Sequence, residues 1–379
     1  MNPILPGGTI GILGGGQLGR MLALEARRMG YHVIVFDPSP DAPCRQVADE
    51  HIVANYDDLA AITRFGDKCD VITYEFENID VRAVETLEAQ SKHVYPGSAV
   101  LRTTQNRLLE KEFVRNAGVP VTDFQRIETL ADIDQASAQI GFPAIIKTAY
   151  GGYDGKGQMV VEQYQDALQA LKVLQRRPLI WEKKLDFVKE LGVICVRDLS
   201  GNVVTYPVSE NIHVENILDT SIIPAQISTP VEQRAKEIAH TIATNLNIVG
   251  LFCVEMFLLA DDRVLVNEIA PRPHNSGHYT IDACVHSQFE QQLRAICGLS
   301  LGSPTLLANA VMVNILGAND VEQLTGLAEA LAYDNVCFHL YGKKKPKAKR
   351  KMGHLTVVDD DVERALQIAQ DARRKLKWV

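Results

Sequence analysis

The sequence predicts an α/β protein of two or three domains. Short apolar segments alternate with helical segments from residue 9 onward, which is typical of a parallel sheet. The chain has 379 residues, more than the roughly 150 that one domain usually takes. With 46% hydrophobic and 23% charged residues it can bury a sizeable core.

The first unit opens with a predicted βαβ segment. Residues 9–13 form a strand, residues 20–29 form a helix that Gly30 ends, and residues 31–37 form a second strand. Residues 71–74 form a further strand, which an acidic loop follows. A parallel sheet is therefore expected at this end of the chain.

The second unit begins near residue 118. Residues 142–147 are predicted to form a buried strand, and strand–turn–strand patterns continue from there to residue 269. Helices are expected at residues 104–117, 231–246, 281–297 and 362–377.

Composition excludes several classes of function. The net charge of −8 argues against general attraction to nucleic acid or anionic membranes. The seven cysteines form no C-x-x-C pair, which fits reduced thiols better than a disulfide framework. The N-terminus lacks the basic residues of a signal peptide, and no apolar run reaches the ~18 residues of a membrane span. We expect a cytoplasmic protein.

The glycine-rich segment after the first strand matches a phosphate-binding motif. Residues 14–19 fit G-x-G-x-x-G between a strand and a helix, and Asp37 ends the next strand, as in dinucleotide-binding proteins. A dehydrogenase is therefore one alternative. The loop suits any phosphate-bearing ligand equally well, and the rest of the chain offers no obvious site for hydride transfer.

Two glutamates in a predicted hairpin form the most informative pair. Residues 252–259 and 263–269 flank a turn, and if the turn is centred between Asp261 and Asp262, Glu255 lies opposite Glu268. Their Cβ atoms would be roughly 5 Å apart, and like charges so placed require a cation. Mg²⁺ with substrate phosphates fits two such oxygen ligands. The alternative is a solvated hairpin, which the apolar neighbours disfavour.

A second nucleotide site is indicated around Lys147. The loop 151–157 contains four glycines in seven residues and can place backbone amides around a triphosphate, although it is not a P-loop. A flexible hairpin with a solvated lysine is the alternative. Residues 182–185 end an apolar strand and would suit the amino edge of adenine.

A basic run lies near the C-terminus. Residues 343–351 contain seven basic residues in nine, followed by His354. Such a run is usually a solvated loop or a nucleic-acid-binding tail. Since a strand follows it directly, it could instead bind a sugar phosphate, and the sequence leaves both interpretations open.

Together these motifs resemble the ATP-grasp superfamily and, within it, the 5-(carboxyamino)imidazole ribonucleotide synthases of purine biosynthesis. The narrower resemblance rests on residues 14–20, 73–78, 153–158, 267–280 and 350–354. It implies an ATP-grasp fold at residues 105–302, with a lid at about 120–183. It also implies a Rossmann-like pre-ATP-grasp domain at 1–104 and a small C-terminal β-rich α+β domain at 303–379, which contributes to binding of the substrate phosphate.

The resemblance also implies a reaction. ATP phosphorylates bicarbonate to carboxyphosphate, whose carboxyl group passes to the amine of 5-aminoimidazole ribonucleotide. The enzyme would be a carbon–nitrogen ligase with ATP and Mg²⁺ as cofactors, acting on small molecules as a homodimer.

By position, the resemblance assigns roles to named residues. Glu255 and Glu268 would bind Mg²⁺, and catalysis would fall to Arg272, His274, Asn275 and Lys147, with His274 a candidate general base. ATP would contact Arg107, Lys147, Gly152, Tyr153, Asp154, Gly155, Lys156, Gly157, Gln158, Glu182, Lys183, Lys184, Leu185, Glu190, His213, Asn267 and Glu268. The ribonucleotide would contact Gln17, Leu18, Glu75, Tyr153, Asp154, Lys156, Lys343, Arg350 and Lys351.

One position departs from the superfamily pattern, and two further alternatives stay open. Ala270 replaces an asparagine that many ATP-grasp enzymes place two residues after the second metal glutamate, so a second Mg²⁺ would be held differently. A formate-dependent glycinamide ribonucleotide transformylase shares the N-terminal glycine loop, but it would have other residues at Asn275 and His278. A non-catalytic subunit that senses ATP is the second alternative, and the intact carboxylate pair argues against it.

Overall fold

A computed structural model describes residues 2–151, 156–175 and 178–379. The N-terminal part contains the expected parallel sheet, in the order β3-β2-β1-β4. Its strands are β1 Thr9–Leu13, β2 His32–Phe36, β3 Glu50–Ile52 and β4 Val71–Tyr74. Its helices are α1 Gln17–Arg28, α2 Leu59–Gly66, α3 Val81–Ala89 and α4 Ser98–Thr104. Apolar residues of β1, β2 and β4 are buried on both faces, as expected for a parallel sheet between helices.

A four-stranded antiparallel sheet follows, in the order β5-β8-β6-β7. Helix α5, Arg107–Asn116, precedes it. The other elements of this part are β5 Phe124–Ile127, α6 Leu130–Gln139, β6 Ala144–Thr148, β7 Gln158–Val161, α7 Tyr164–Val173 and β8 Leu179–Lys183. Helices α6 and α7 bury their apolar faces on the sheet around Trp181.

The central sheet has nine strands in the described part of the chain, in the order β14-β13-β9-β11-β12-β15-β18-β17, with β10 paired to β9. Its strands are β9 Phe187–Arg197, β10 Val203–Thr205, β11 Ser209–Val214, β12 Ile217–Ile223, β13 Gly250–Leu259, β14 Val264–Ala270, β15 Asn309–Leu316, β17 Val336–Leu340 and β18 Lys351–Asp359. The remaining elements are α8 Thr229–Asn245, α9 Thr280–Ala283, α10 Gln288–Ile296, β16 Leu324–Thr325, α11 Leu327–Ala330, α12 Val362–Lys375 and β19 Lys377–Trp378. Strands β15, β17 and β18 thus extend the central sheet, while β16 and β19 pair with each other in a small separate sheet.

The helix expected around residues 104–117 is confirmed as α5, which begins at Arg107 because the side chain of Asn106 accepts hydrogen bonds from Leu108 N and Leu109 N and so caps it. Another helix predicted as continuous is broken, so that prediction was wrong. The helix expected at 281–297 is divided between α9 and α10, where Ser287 accepts from Glu290 N. None of the helices in the described ranges combines the length and hydropathy that a bilayer-spanning helix requires.

Candidate active site

One large cavity lies where the three sheets meet. Its volume is about 800 Å³, enough for a nucleotide and a second small substrate. Eighteen of the predicted site residues line it: Gln17, Leu18, Glu75, Arg107, Lys147, Lys156, Gln158, Glu190, His213, Glu255, Asn267, Glu268, Arg272, His274, Asn275, Lys343, Arg350 and Lys351. They come from helices, β-strands and loops, and the first and last of them are more than 300 positions apart in the chain.

The other predicted residues lie elsewhere or outside the described ranges. Gly152, Tyr153, Asp154 and Gly155 fall outside the residues that the structure describes. Glu182 is buried behind Lys147, while Gly157 and residues 183–185 are not part of the cavity lining. Lys183 is exposed, and Lys184 Nζ lies 3.5 Å from Glu162 Oε1.

The hairpin that carries the carboxylate pair contains a β-bulge. Glu255 lies opposite Glu268, as predicted, but Met256 lies opposite Val266, so Asn267 is the extra residue. The bulge compensates for a turn one residue tighter than expected, in which Leu259 N bonds to Arg263 O. Without the bulge, Glu255 would face Asn267. The bulge therefore places both carboxylates on the cavity side.

The two carboxylates have different surroundings. Glu255 Oε1 lies 3.0 Å from His274 Nε2. Burial opposes ionisation of Glu255, but the hydrogen bond and charge of His274 prevail and hold its pKa at about 2. Burial, together with the charge of Glu255, raises the pKa of Glu268. A cation bound between the two carboxylates would therefore stabilise the ionised form of Glu268.

His274 is held on both ring nitrogens. Nδ1 lies 2.9 Å from Ser276 Oγ, and Nε2 faces Glu255. Burial lowers the pKa of His274, but Cys253 and Glu255 outweigh burial and raise it to about 10. Ser276 N also donates to Nδ1 at 3.3 Å, so Nδ1 is an acceptor and the ring proton lies on Nε2, toward Glu255. The role of His274 as general base stays a prediction.

Arg272 is oriented by a residue to which the sequence assigned no role. Its Nε donates to Glu77 Oε2 at 2.5 Å, and both side chains are mostly buried. Burial opposes ionisation of Glu77, but the charge of Arg272 lowers the pKa of this carboxyl. The pair fixes the guanidinium at the cavity wall next to His274.

A buried charge network supports the nucleotide end of the cavity. Lys147 Nζ donates to Glu182 Oε2 at 2.7 Å, and Lys111 Nζ lies 3.6 Å from Glu182 Oε1. Lys111 also donates to Asn267 O at 3.1 Å. Through Glu182, Lys111 thus connects the bulge to Lys147. Burial opposes ionisation of Glu182, but the two lysines hold its pKa at about 2. Neither Lys111 nor its neighbour Glu110, which accepts from Ile269 N at 2.6 Å, was predicted.

The N-terminal glycine loop binds protein carboxylates. Glu75 accepts hydrogen bonds from Gly16 N and, at 2.7 Å, from Gly19 N, while Asp37 Oδ2 accepts from Gly15 N at 2.7 Å. These amides are the ones that a dinucleotide pyrophosphate would need. The dehydrogenase interpretation is therefore disfavoured.

The basic run is folded against the cavity. Lys343 Nζ donates to Gln17 Oε1 at 2.6 Å and to Lys351 O at 2.5 Å, and Arg350 donates to Lys345 O at 2.9 Å. Lys344 pairs with Asp41. These contacts join the run to the N-terminal domain, so the interpretation as a nucleic-acid tail is disfavoured.

Asn275 is also fixed by an unpredicted partner. Its side-chain amide exchanges two hydrogen bonds with that of Asn314, at 3.1 and 2.7 Å. Asn314 also donates to Leu218 O at 2.7 Å. At another wall of the cavity, His213 Nδ1 lies 3.0 Å from Glu190 Oε2. The cavity wall is thus preorganised by buried polar contacts.

Three family models match successive parts of the chain. They are the ribonucleotide synthetase preATP-grasp domain at residues 8–105, the ATP-grasp domain at 112–289 and the phosphoribosylaminoimidazole carboxylase C-terminal domain at 310–368. The α/β architecture with an ATP-grasp fold is thereby confirmed.

Relatives agree along nearly the whole length. The N5-carboxyaminoimidazole ribonucleotide synthase of Bacillus subtilis (strain 168) is 46% identical over 366 residues, which are 96% of this chain and 95% of the relative. The Staphylococcus aureus N5-carboxyaminoimidazole synthetase complexed with ADP has a TM-score of 0.90 at 40% identity, covering 98% of this chain and 99% of that one.

An Aspergillus clavatus N5-carboxyaminoimidazole synthase in complex with ADP and 5-aminoimidazole ribonucleotide also superposes. Its TM-score is 0.90 at 34% identity, and the match covers 98% of this chain and 99% of that one. The chain therefore belongs to the N5-carboxyaminoimidazole ribonucleotide synthase family and is an ATP-grasp ligase.

Proposed function

We propose that this cavity joins bicarbonate to the exocyclic amine of 5-aminoimidazole ribonucleotide, driven by ATP, to give 5-(carboxyamino)imidazole ribonucleotide, ADP and phosphate in purine biosynthesis. Family membership supports the overall reaction. The single observation that carries the assignment of residues is the carboxylate pair, Glu255 opposite Glu268, in one cavity with Lys147 and Arg272.

The hairpin carboxylates fit a hard divalent cation. Both are oxygen donors on one side of the sheet, and the pKa of Glu268 is raised by burial and by the charge of Glu255. We assign Mg²⁺ to them, with Asn267 beside the nucleotide. When bound, Mg²⁺ supplies charge neutralisation to the phosphates of ATP.

Side chains of the cavity position ATP. Lys147 and Arg107 line the cavity and suit the phosphates, because both are cations held in place, Lys147 by the buried carboxylate of Glu182 and Arg107 by Gly151 O. Arg107 donates to Gly151 O at 2.7 Å, which anchors the start of the glycine-rich loop. Lys156, Gln158, Glu190 and His213 complete this part of the cavity. Gly152, Tyr153, Asp154 and Gly155 remain predictions by resemblance.

Group transfer takes place near Arg272, His274 and Asn275. An oxygen of bicarbonate attacks the γ-phosphorus, the bond to the ADP oxygen breaks, and carboxyphosphate forms. The amine nitrogen then attacks the carboxyl carbon, the bond between that carbon and the phosphate oxygen breaks, and the proton of the amine passes to the departing phosphate. Arg272 stabilises the negative charge that develops, Asn275 offers an amide to the carboxyl oxygens, and His274 is the candidate general base.

The ribonucleotide lies at the other end of the cavity. Lys343, Arg350 and Lys351 suit its phosphate, and Gln17 is held within reach of them by Lys343. Leu18 and Glu75 lie on the same wall. The aminoimidazole would then point toward Asn275.

The test is an ADP-release assay from which one component is omitted at a time. We expect ADP release to require ATP, Mg²⁺, bicarbonate and 5-aminoimidazole ribonucleotide together, with a carboxylated amine as product. Formate with glycinamide ribonucleotide serves as the comparison. ADP release that follows formate and ignores bicarbonate would refute the proposal.

We further infer a homodimer, as the resemblance implies, and a cytoplasmic location, since all seven cysteines are unpaired. Light scattering during gel filtration checks the assembly: a mass twice that of the 41.9 kDa chain is expected. A monomeric mass at micromolar concentration would contradict it.

A further inference from the structure

A second group of metal-ligating side chains lies outside the cavity. Asp282 from α9, His339 from β17 and His354 from β18 each offer one ligand atom, and these atoms all lie within 4.8 Å of one another. None of the three lines the active-site cavity. Among the residues that the structure describes, this is the one group of three or more such side chains close enough to share an ion.

The contacts of the trio leave one buried imidazole nitrogen without a partner. His339 Nε2 lies 2.9 Å from Asp282 Oδ2, and the ring of His339 stacks on that of His354 with centroids 4.4 Å apart. His354 Nδ1 lies 2.9 Å from Tyr341 Oη. His354 Nε2 is buried and makes no hydrogen bond within the described ranges, which is costly for a polar atom.

A neighbouring histidine, His278, also has a buried ring nitrogen without a hydrogen-bond partner in the described ranges. His278 is fully buried, and its ring centroid lies 4.9 Å from that of His354. Gln288 Nε2 donates to His278 Nδ1 at 3.0 Å, so the neutral ring carries its proton on Nε2. This Nε2 also has no partner in the described part of the chain.

We propose that Asp282, His339 and His354 bind a divalent transition-metal ion, of which Zn²⁺ is the best match. Two imidazoles and one carboxylate are a donor set that suits Zn²⁺ and not Mg²⁺, which prefers oxygen alone. Tyr341 fixes the ring orientation of His354, as second partners of metal-bound histidines do. A three-ligand site leaves a position for water, to which the Nε2–H of His278 can donate.

The position of the site gives the ion a structural role. His354 lies opposite both His339 and Asn314 in the central sheet, and Asn314 fixes Asn275. The ion would tie α9 to strands β17 and β18. Strand β18 begins at Lys351, so the same tie would hold the basic residues that we assign to the substrate phosphate.

The test uses the full chain, stripped with a chelator and kept in excess Mg²⁺ so that the hairpin carboxylates are occupied. Zn²⁺ is added, unbound metal is removed, and bound metal is counted by mass spectrometry; Co²⁺ serves as a spectroscopic probe. We expect one Zn²⁺ per chain, a higher midpoint of thermal unfolding, and ligand-field bands of Co²⁺ with nitrogen ligands.

Substitutions of the proposed ligands test where the ion binds. His339→Ala and Asp282→Asn should each remove the bound Zn²⁺ and the Co²⁺ bands, and Tyr341→Phe should weaken binding about tenfold. His240→Ala is the matched control, because His240 is exposed on α8, and it should bind as the parent does. Circular dichroism verifies folding, and Asp282→Asn is close to isosteric if His339→Ala is unstable. Wild-type protein that binds no Zn²⁺, or folded Asp282→Asn that binds one full equivalent, would overturn the proposal.

Discussion

Replacement of Glu268 by glutamine should stabilise the unliganded protein and abolish its ATP turnover. Glu268 and Glu255 lie opposite each other across the hairpin, so the substitution removes one of two like charges and keeps the shape of the side chain. The same substitution removes one of the two charged ligands that we assign to Mg²⁺. Stability and activity are therefore expected to change in opposite directions, which a loss of folding could not produce.

The size of the effect follows from the pairing. Two unit charges about 5 Å apart repel by roughly 3 kcal/mol at an effective dielectric constant near 20. His274 Nε2 already contacts Glu255, and burial together with the charge of Glu255 raises the pKa of Glu268, so we expect a gain of about 1–2 kcal/mol, less than the full repulsion. With an unfolding entropy of about 2.1 cal/mol/K per residue, a gain of this size raises the unfolding midpoint by roughly 2 °C.

The assay is thermal unfolding with and without Mg²⁺ and ADP, together with steady-state ADP release. Mg²⁺ and ADP at about 100 times the Kd should stabilise the wild type by roughly 2.7 kcal/mol, and Glu268→Gln should lose most of this gain. We expect kcat to fall by at least about 10²-fold. Glu237→Gln, on the exposed face of α8, is the control and should change neither quantity. A lower midpoint for unliganded Glu268→Gln, or normal Mg²⁺-dependent turnover, would refute the reasoning.

Three further predictions follow from other contacts. Arg350→Ala should raise the KM for 5-aminoimidazole ribonucleotide about ten- to a hundredfold in initial-rate measurements, because a charged phosphate contact is lost. Glu77→Gln should lower kcat about 10²-fold at unchanged KM, because Arg272 loses the carboxylate that orients it. The contribution of the buried neutral histidines to unfolding stability, measured by denaturant titration of the wild type against His354→Gln, should fall as pH decreases below about 6.5, because the unfolded histidines bind protons there. Burial keeps His278 and His354 neutral in the folded state until a lower pH.

Each of these has a control or an outcome that contradicts it. Lys347 lies in the same basic run but does not line the cavity, so Lys347→Ala is the control for Arg350→Ala. An equal rise in KM in both variants would contradict the role that we assign to Arg350. A Glu77→Gln enzyme with normal kcat would show that Arg272 needs no orienting partner. His354→Gln should have a shallower dependence of stability on pH than the wild type. An identical slope would contradict the titration of His354.

The hairpin shows how far sequence reasoning reached. The pairing of Glu255 with Glu268 was predicted, yet the predicted turn was one residue too long, and the bulge at Asn267 restores the register. Alternation of apolar residues gives a strand and its face, but it does not indicate where one residue is inserted. The start of α5 after Asn106 and the break before α10 at Ser287 could have been read from the sequence, because both are residue types that favour N-caps.

The unpredicted site residues share a physical feature. Lys111, Glu77 and Asn314 act through partners that are distant in sequence: Asn267 is 156 positions from Lys111, and Arg272 is 195 positions from Glu77. Local patterns carry no signal for such contacts, since a lysine on an amphipathic helix usually faces solvent. Lys147 and the hairpin glutamates were predicted from their own patterns, at the end of a strand and in a paired hairpin, whereas Glu190 was assigned only by resemblance.

The most direct test of the central claim is a crystal structure of the protein with Mn²⁺ and a non-hydrolysable ATP analogue, examined by anomalous scattering. We expect an anomalous peak between the carboxylates of Glu255 and Glu268, in contact with the phosphates, with Lys147 on the same phosphates. A peak at other side chains, with both glutamates free of metal and phosphate, would contradict the account.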